Sequence, residues 1–198
     1  MSNNYWIVDE WLIFKPKFNE ELTYYYGIIN KYKKIIFSNY NNPLIAIETN
    51  NQHEIEHCVN FIKNQFSKEI DLSNNVNLTH LTFGWYFNQE IFIPLNIKSL
   101  SMFKCSYQYI IDNLHNNIED LIIRGSNLNL NNLPNSIKKL YINDYDEELN
   151  NLPNSIEYLE LKDYYLKIKK IPNNLKTIKC SKFYKYIDDF KDYEVITY

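Results

Sequence analysis

The stretch Leu133-Pro134-Asn135-Ser136-Ile137-Lys138-Lys139-Leu140-Tyr141-Ile142 returns nineteen positions later as Leu152-Pro153-Asn154-Ser155-Ile156-Glu157-Tyr158-Leu159-Glu160-Leu161. It returns again, loosened, from Ile171-Pro172-Asn173-Asn174-Leu175, at the same interval. Upstream, Leu114-His115-Asn116-Asn117-Ile118 precedes the first copy by one such interval. Ile93-Pro94-Leu95-Asn96-Ile97 lies twenty-one positions before that, and Asn74-Asn75-Val76-Asn77-Leu78 another nineteen. Self-similarity at a fixed period of this length is the mark of a repeat architecture.

The apolar positions inside the units decide what kind. Each carries them at relative positions 1, 4 and 6: Leu78, Leu81, Phe83; Ile97, Leu100, Met102; Ile118, Leu121, Ile123; Ile137, Leu140, Ile142; Ile156, Leu159, Leu161; and Leu175, Ile178, Cys180. The last two positions differ by two, so both face one side of a strand and the residue between them faces the other. A second apolar pair near the end of each unit, such as Leu149 with Leu152, can fill the interior from the opposite wall. Proline at the second position lacks an amide donor, so each strand should begin after it. A short strand plus two turns leaves no room for a long helix in a unit of this length. The return path should therefore be extended or 3₁₀. One unit buries too little to offset its own ordering entropy, so the units must stack.

The expected fold class is mainly β, a leucine-rich-repeat-like parallel β-solenoid with short repeats, as one domain over 1–198. Regular repeats occupy 74–181, degenerate repeats and an N-terminal cap 1–73, and a C-terminal cap 182–198. Weaker units are expected around 5–23 and 28–46. Leu12-Ile13-Phe14 aligns on Leu81-Thr82-Phe83, and Ile35-Ile36-Phe37 on Leu140-Tyr141-Ile142. Over 51–67, Ile55, Val59, Ile62 and Phe66 follow helical spacing, so a helix is favoured there over a degenerate strand unit.

Phe87-Asn88-Gln89-Glu90-Ile91, Tyr40-Asn41-Asn42-Pro43-Leu44 and Phe18-Asn19-Glu20-Glu21-Leu22 resemble the core of FNIP repeats. Leu133-Pro134-Asn135-Ser136-Ile137 and its copies resemble the other half of the same repeat. The resemblance covers 74–189 well and 5–50 weakly. Such repeats occur in amoebae and in the giant viruses that infect them, and are grouped with leucine-rich repeats. The resemblance implies an interaction scaffold and brings no catalytic residues. Some members carry an F-box and serve as substrate receptors of ubiquitin ligases, which is the alternative reading; residues 1–50 do not match an F-box. Ordinary leucine-rich repeats place an Asn three residues past the last strand Leu. Here that position holds Tyr86, Cys105, Ser126, Tyr145, Tyr164 and Phe183, which predicts a stacked aromatic column.

Composition narrows the function classes. The chain has 198 residues, a net charge of −3 and only 3 Gly. That balance predicts no general attraction to nucleic acid or anionic lipid. With so little Gly, Asn is expected to supply the left-handed turn positions. Phosphate-cradling Gly loops and nucleophile elbows are absent from the sequence. Cys58, Cys105 and Cys180 are too few and too scattered for a disulfide framework, which favours a reducing, cytoplasmic setting. No run of about 18 apolar residues and no signal-peptide pattern occurs.

Candidate sites come from the outward strand positions. Arg124, Lys139, Tyr141, Tyr158, Glu160 and Lys162 are the candidate partner-binding residues, because Tyr and Arg dominate interface energies. His53 and His57 sit four apart near Cys58, but further zinc ligands are not evident, so no metal site is expected. Adjacent acids at Glu20-Glu21, Glu147-Glu148 and Asp188-Asp189 read as solvated surface, and Lys182-Phe183-Tyr184-Lys185-Tyr186 is countered by the acids that follow it. The expectation is a non-catalytic scaffold that binds a protein through the concave sheet, without cofactor, nucleic acid or membrane, and as a monomer; the ubiquitin-ligase receptor is the alternative and an enzyme of unknown type the weaker one.

Overall fold

Two inward rows of apolar side chains organise the molecule. The computed structural model describes residues 4–15, 22–29, 31–37, 78–84 and 91–198. Its strands are β1 (Tyr5–Val8), β2 (Trp11–Phe14), β3 (Lys34–Phe37), β4 (His80–Phe83) and β5 (Ser99–Phe103), followed by β6 (Asp120–Arg124), β7 (Lys139–Asn143), β8 (Tyr158–Lys162), β9 (Thr177–Cys180) and β10 (Glu194–Thr197). They form one sheet in sequence order. Strands β2 to β10 are parallel, and β1 alone runs antiparallel, against β2.

The register is the one the repeat dictates. Leu81, Leu100, Leu121, Leu140, Leu159 and Ile178 are successive partners, and so are Phe83, Met102, Ile123, Ile142, Leu161 and Cys180. All are buried. A one-residue slip would turn both rows to solvent, which is why the pairing is fixed. The opposite wall is filled by Leu128, Leu130 and Leu133, then Leu149 and Leu152, then Ile168. The protein is therefore a parallel β-solenoid whose coils follow the period of the sequence repeat.

The carbonyls of Pro94, Pro134, Pro153 and Pro172 each accept a turn bond three residues on, from Ile97, Ile137, Ile156 and Leu175, and the strand starts two residues later. Asn and Ser side chains then tie coil to coil. Asn96 Nδ2 donates to the Leu78 carbonyl, Asn117 Nδ2 to Leu95 (2.9 Å) and Ser155 Oγ to Ile137 (2.8 Å).

Several elements depart from expectation. Between β6 and β9 the return paths hold no helix, but α2 (Gln108–Asp112) lies between β5 and β6. The coil from Ile97 to Ile118 is two residues longer than its successors, and the extra length allows a helical turn that buries Ile110 and Ile111. A 3₁₀ turn (Leu22–Tyr25) leading into α1 (Tyr26–Ile29) occupies the path from β2 to β3. Asn was expected at left-handed positions. Among the described residues those positions are Asp9, Lys104, Asp144, Asp163 and Gly125 instead. Asp tolerates this backbone for the reason Asn does, a short side chain able to bond locally.

The ends also differ from plain repeats. β1 and β2 form a hairpin whose two-residue loop carries Asp9 at φ 50°. Tyr5 packs edge-on against Tyr25, which is itself edge-on to the buried Phe14. The segment 182–198 contributes a 3₁₀ turn (Ile187–Phe190) and the tenth strand. The helix expected over 51–67 lies outside the described residues, as do His53, His57 and Cys58.

Candidate outward-face interaction site

The alternation that buries the two inner rows sends every other strand residue to the opposite face. Three rows result. Asp120, Lys139, Tyr158 and Thr177 form the first; Ile122, Tyr141, Glu160 and Lys179 the second; Phe103, Arg124, Asn143 and Lys162 the third. Among the described elements, the extensive contacts of every strand are with its sheet neighbours.

All six candidate residues lie here. Lys139 and Tyr158 open β7 and β8, Tyr141 and Glu160 are at strand centres, and Arg124 and Lys162 close β6 and β8. Tyr141 and Tyr158 are diagonal rather than directly opposed, and their rings still meet at 5.4 Å between centroids, tilted by 44°. Arg124 stands beside Asn143, one row from Tyr141. Lys139 Nζ lies 3.9 Å from Asp120.

Glu160 is the hub. It accepts from the hydroxyls of Tyr158 (2.9 Å) and Tyr198 (2.7 Å), and Lys179 Nζ lies 3.4 Å away. Lys179 also sits over the Tyr198 ring at 4.7 Å. Burial alone would raise the Glu160 carboxyl. The bonds from Tyr198, Tyr158 and Lys179 outweigh it and hold the carboxyl below its ordinary range. Burial, then the bond to Glu160, pushes the Tyr158 phenol up to about 12. Burial also raises Tyr141, with Asp120 and Glu160 adding to it. The aromatic pair and Glu160 are thus held in place before any partner arrives, which lowers the ordering cost of binding.

Sequence reasoning missed a charge ladder one residue before the strands. Lys98, Glu119 and Lys138 are joined by ion pairs of 3.2 and 2.9 Å, and Glu157 pairs with Lys176 at 2.5 Å. The alternation of sign at these positions was the available signal. Tyr198 was missed too, because nothing in a terminal Tyr announces that it reaches back to Glu160.

Of the column past the strands, Cys105, Ser126, Tyr145 and Tyr164 lie inside the molecule, and Tyr86 lies outside the described residues. Tyr145 and Tyr164 stack at 6.2 Å, as the spacing predicts, and Cys105 and Ser126 at the equivalent earlier positions are buried. Its last member is Tyr184 (5% exposed), 6.4 Å from Tyr164, and not Phe183, which is 83% exposed. The correction has a local cause. No left-handed residue precedes Phe183, and the Tyr184 amide instead closes a turn onto the Ser181 carbonyl at 2.9 Å. One more residue is needed before the chain points inward. The burial of Tyr184 also removes it from any nucleic-acid stacking surface around Lys182–Tyr186.

Glu147-Glu148 and Asp188-Asp189 are surface groups, and Glu20-Glu21 lie outside the described residues. Glu148 bonds Lys169 (2.8 Å) and Asn150, and Asp189 pairs with Lys167 (3.1 Å). Among the described residues no group of His, Cys, Asp or Glu could hold a metal ion, and no helix is long and apolar enough to cross a membrane. Cys105 and Cys180 are buried, and burial pushes the Cys105 thiol up to about 11, so it is not a poised nucleophile.

Residues 126–164 match the FNIP Repeat family. The match runs from Ser126 to Tyr164, two column positions separated by two coils, and contains Tyr141 and Tyr158. No curated protein matches the chain. Among solved structures, the chain is similar to CroV588, a circular leucine-rich-repeat protein from a giant virus, with a TM-score of 0.47 and 24% identity. The similarity covers 92% of this chain and 32% of that one, so this chain spans about a third of its length.

Proposed function

We propose that the protein is a non-catalytic interaction scaffold that binds a protein partner through the outward face of β6–β8. The observation that supports this reading is the Tyr141–Tyr158 pair, half-buried on the outward sheet face, with the Tyr158 hydroxyl bonded to Glu160. Rigid aromatic groups flanked by Arg and Lys are the usual anchors of protein interfaces. The repeat fold suits the role, because stacked coils build an extended surface from a few side chains per coil. In this reading the protein works as a monomer, without cofactor, nucleic acid or membrane.

The test is affinity capture from the source organism's lysate with the wild type and with the triple variant Arg124→Glu, Tyr141→Ala, Tyr158→Ala. All three side chains lie off the core, so the variant should melt close to the wild type. Proteins retained by the wild type should be lost from the variant. Equal capture by a folded variant would move binding to another surface.

A further inference from the structure

The charges on the outward face do not balance, and the imbalance is local. Across β6 to β9 the face carries Asp120 and Glu160 against Arg124, Lys139, Lys162 and Lys179. Lys139 is paired with Asp120 and Lys179 with Glu160. Arg124 and Lys162 remain. Both are exposed, and neither forms an ion pair with a described residue. They occupy the same row with Asn143 between them, two strand spacings or about 9.6 Å apart. Tyr141 lies in the adjoining row, and Tyr158, one row further on, packs its ring against Tyr141.

The geometry points to an acidic, extended peptide segment as the occupant of this face, with two carboxylates three residues apart and an apolar side chain between them. Such a segment in a polyproline II conformation spaces those carboxylates by about 9.3 Å, close to the separation of Arg124 and Lys162. Its apolar residue then meets the Tyr141 ring, which Tyr158 backs from the row beyond. Arg124 can take one carboxylate through two parallel N–H bonds, and Lys162 takes the other as a point charge. The next residues along the coils, Asp144 and Asp163, are acidic and favour a segment whose flanks are not themselves acidic. The inference rests on the outward face being the binding surface and adds the chemistry of what binds.

The test uses the full chain and three labelled peptides with Gly-Ser flanks and the cores Glu-Leu-Phe-Glu, Gln-Leu-Phe-Gln and Lys-Leu-Phe-Lys. Fluorescence anisotropy gives each affinity for the wild type, for Arg124→Gln/Lys162→Gln and for Tyr141→Ala/Tyr158→Ala, with circular dichroism confirming the fold. The acidic peptide should bind at least about tenfold tighter than the other two, since only its carboxylates accept charge-assisted bonds from Arg124 and Lys162. The charge variant should erase that preference, and the tyrosine variant should weaken the acidic and the Gln peptide together. Equal or tighter binding of the Gln or Lys peptide, lost in the tyrosine variant, would overturn the acidic assignment and leave the face as the binding surface. Binding indifferent to both variants, or no binding of any peptide, would overturn both.

Discussion

Replacing Tyr145 by Phe removes one oxygen from the interior and leaves the ring. The Tyr145 hydroxyl donates to the Leu128 carbonyl at 2.6 Å, and both residues are buried. Burial pushes the phenol's pKa far up, so it remains a donor at any ordinary pH. In the variant the Leu128 carbonyl loses its partner where water cannot replace it, which costs about 1–3 kcal/mol. The stack on Tyr164 survives, so packing contributes little to the loss. For a chain of this size each kcal/mol lowers Tm by about 2–4 °C. Tyr145→Ala removes the ring as well and should cost about 3–5 kcal/mol. Phe183→Ala is the control: its side chain is mostly in water, and the change should stay within about 0.5 kcal/mol. Urea unfolding followed by circular dichroism gives all three values. A Tyr145→Phe protein as stable as the wild type, or a Phe183→Ala protein destabilised like Tyr145→Ala, would refute the placement of the column.

Gly125 adopts φ +57°, and an added Cβ would lie 3.1 Å from Lys104 Cγ. Gly125→Ala should therefore lose about 1–2 kcal/mol, measured by urea unfolding, and Gly125→Asp less, since Asp144 and Asp163 hold the same conformation one and two coils on. Lys138→Glu places three acids in a row with Glu119 and Glu157. Its Tm should fall at low salt and recover when salt is raised, because these groups are exposed and screened. Burial holds the His115 and His80 imidazoles below their ordinary value. The folded chain then binds fewer protons than the unfolded chain, so stability present above about pH 6.5 declines as pH falls toward the folded pKa values. A Tm series descending from neutral to mildly acidic pH should show the decline, reduced in His115→Gln.

Period and alternation made most of the fold legible in the sequence. Leu121, Leu140 and Leu159 repeat with a spacing that only stacked coils satisfy, and the same alternation placed Tyr141 and Glu160 on the other face. The features that escaped depended on single residues of chain length or on contacts remote in sequence. Two extra residues admit the helix at Gln108–Asp112, and one missing left-handed residue exchanges Phe183 for Tyr184. The antiparallel β1 breaks the period, so a search for repeats passes over it. The bond from Tyr198 to Glu160 spans 38 residues and leaves no local trace. The surplus of Arg124 and Lys162 emerges only after register decides which charges are neighbours.

That register is open to direct observation. Through-hydrogen-bond couplings in a deuterated, isotope-labelled sample report which carbonyl each amide bonds. The amides of Lys138, Glu157 and Lys176 should couple to the carbonyls of Glu119, Lys138 and Glu157, at donor–acceptor distances of 2.8, 2.8 and 2.9 Å. Each such bond steps back by one coil. Couplings from these amides to carbonyls four residues earlier, or to any residue outside the preceding coil, would contradict the stacking on which the site depends.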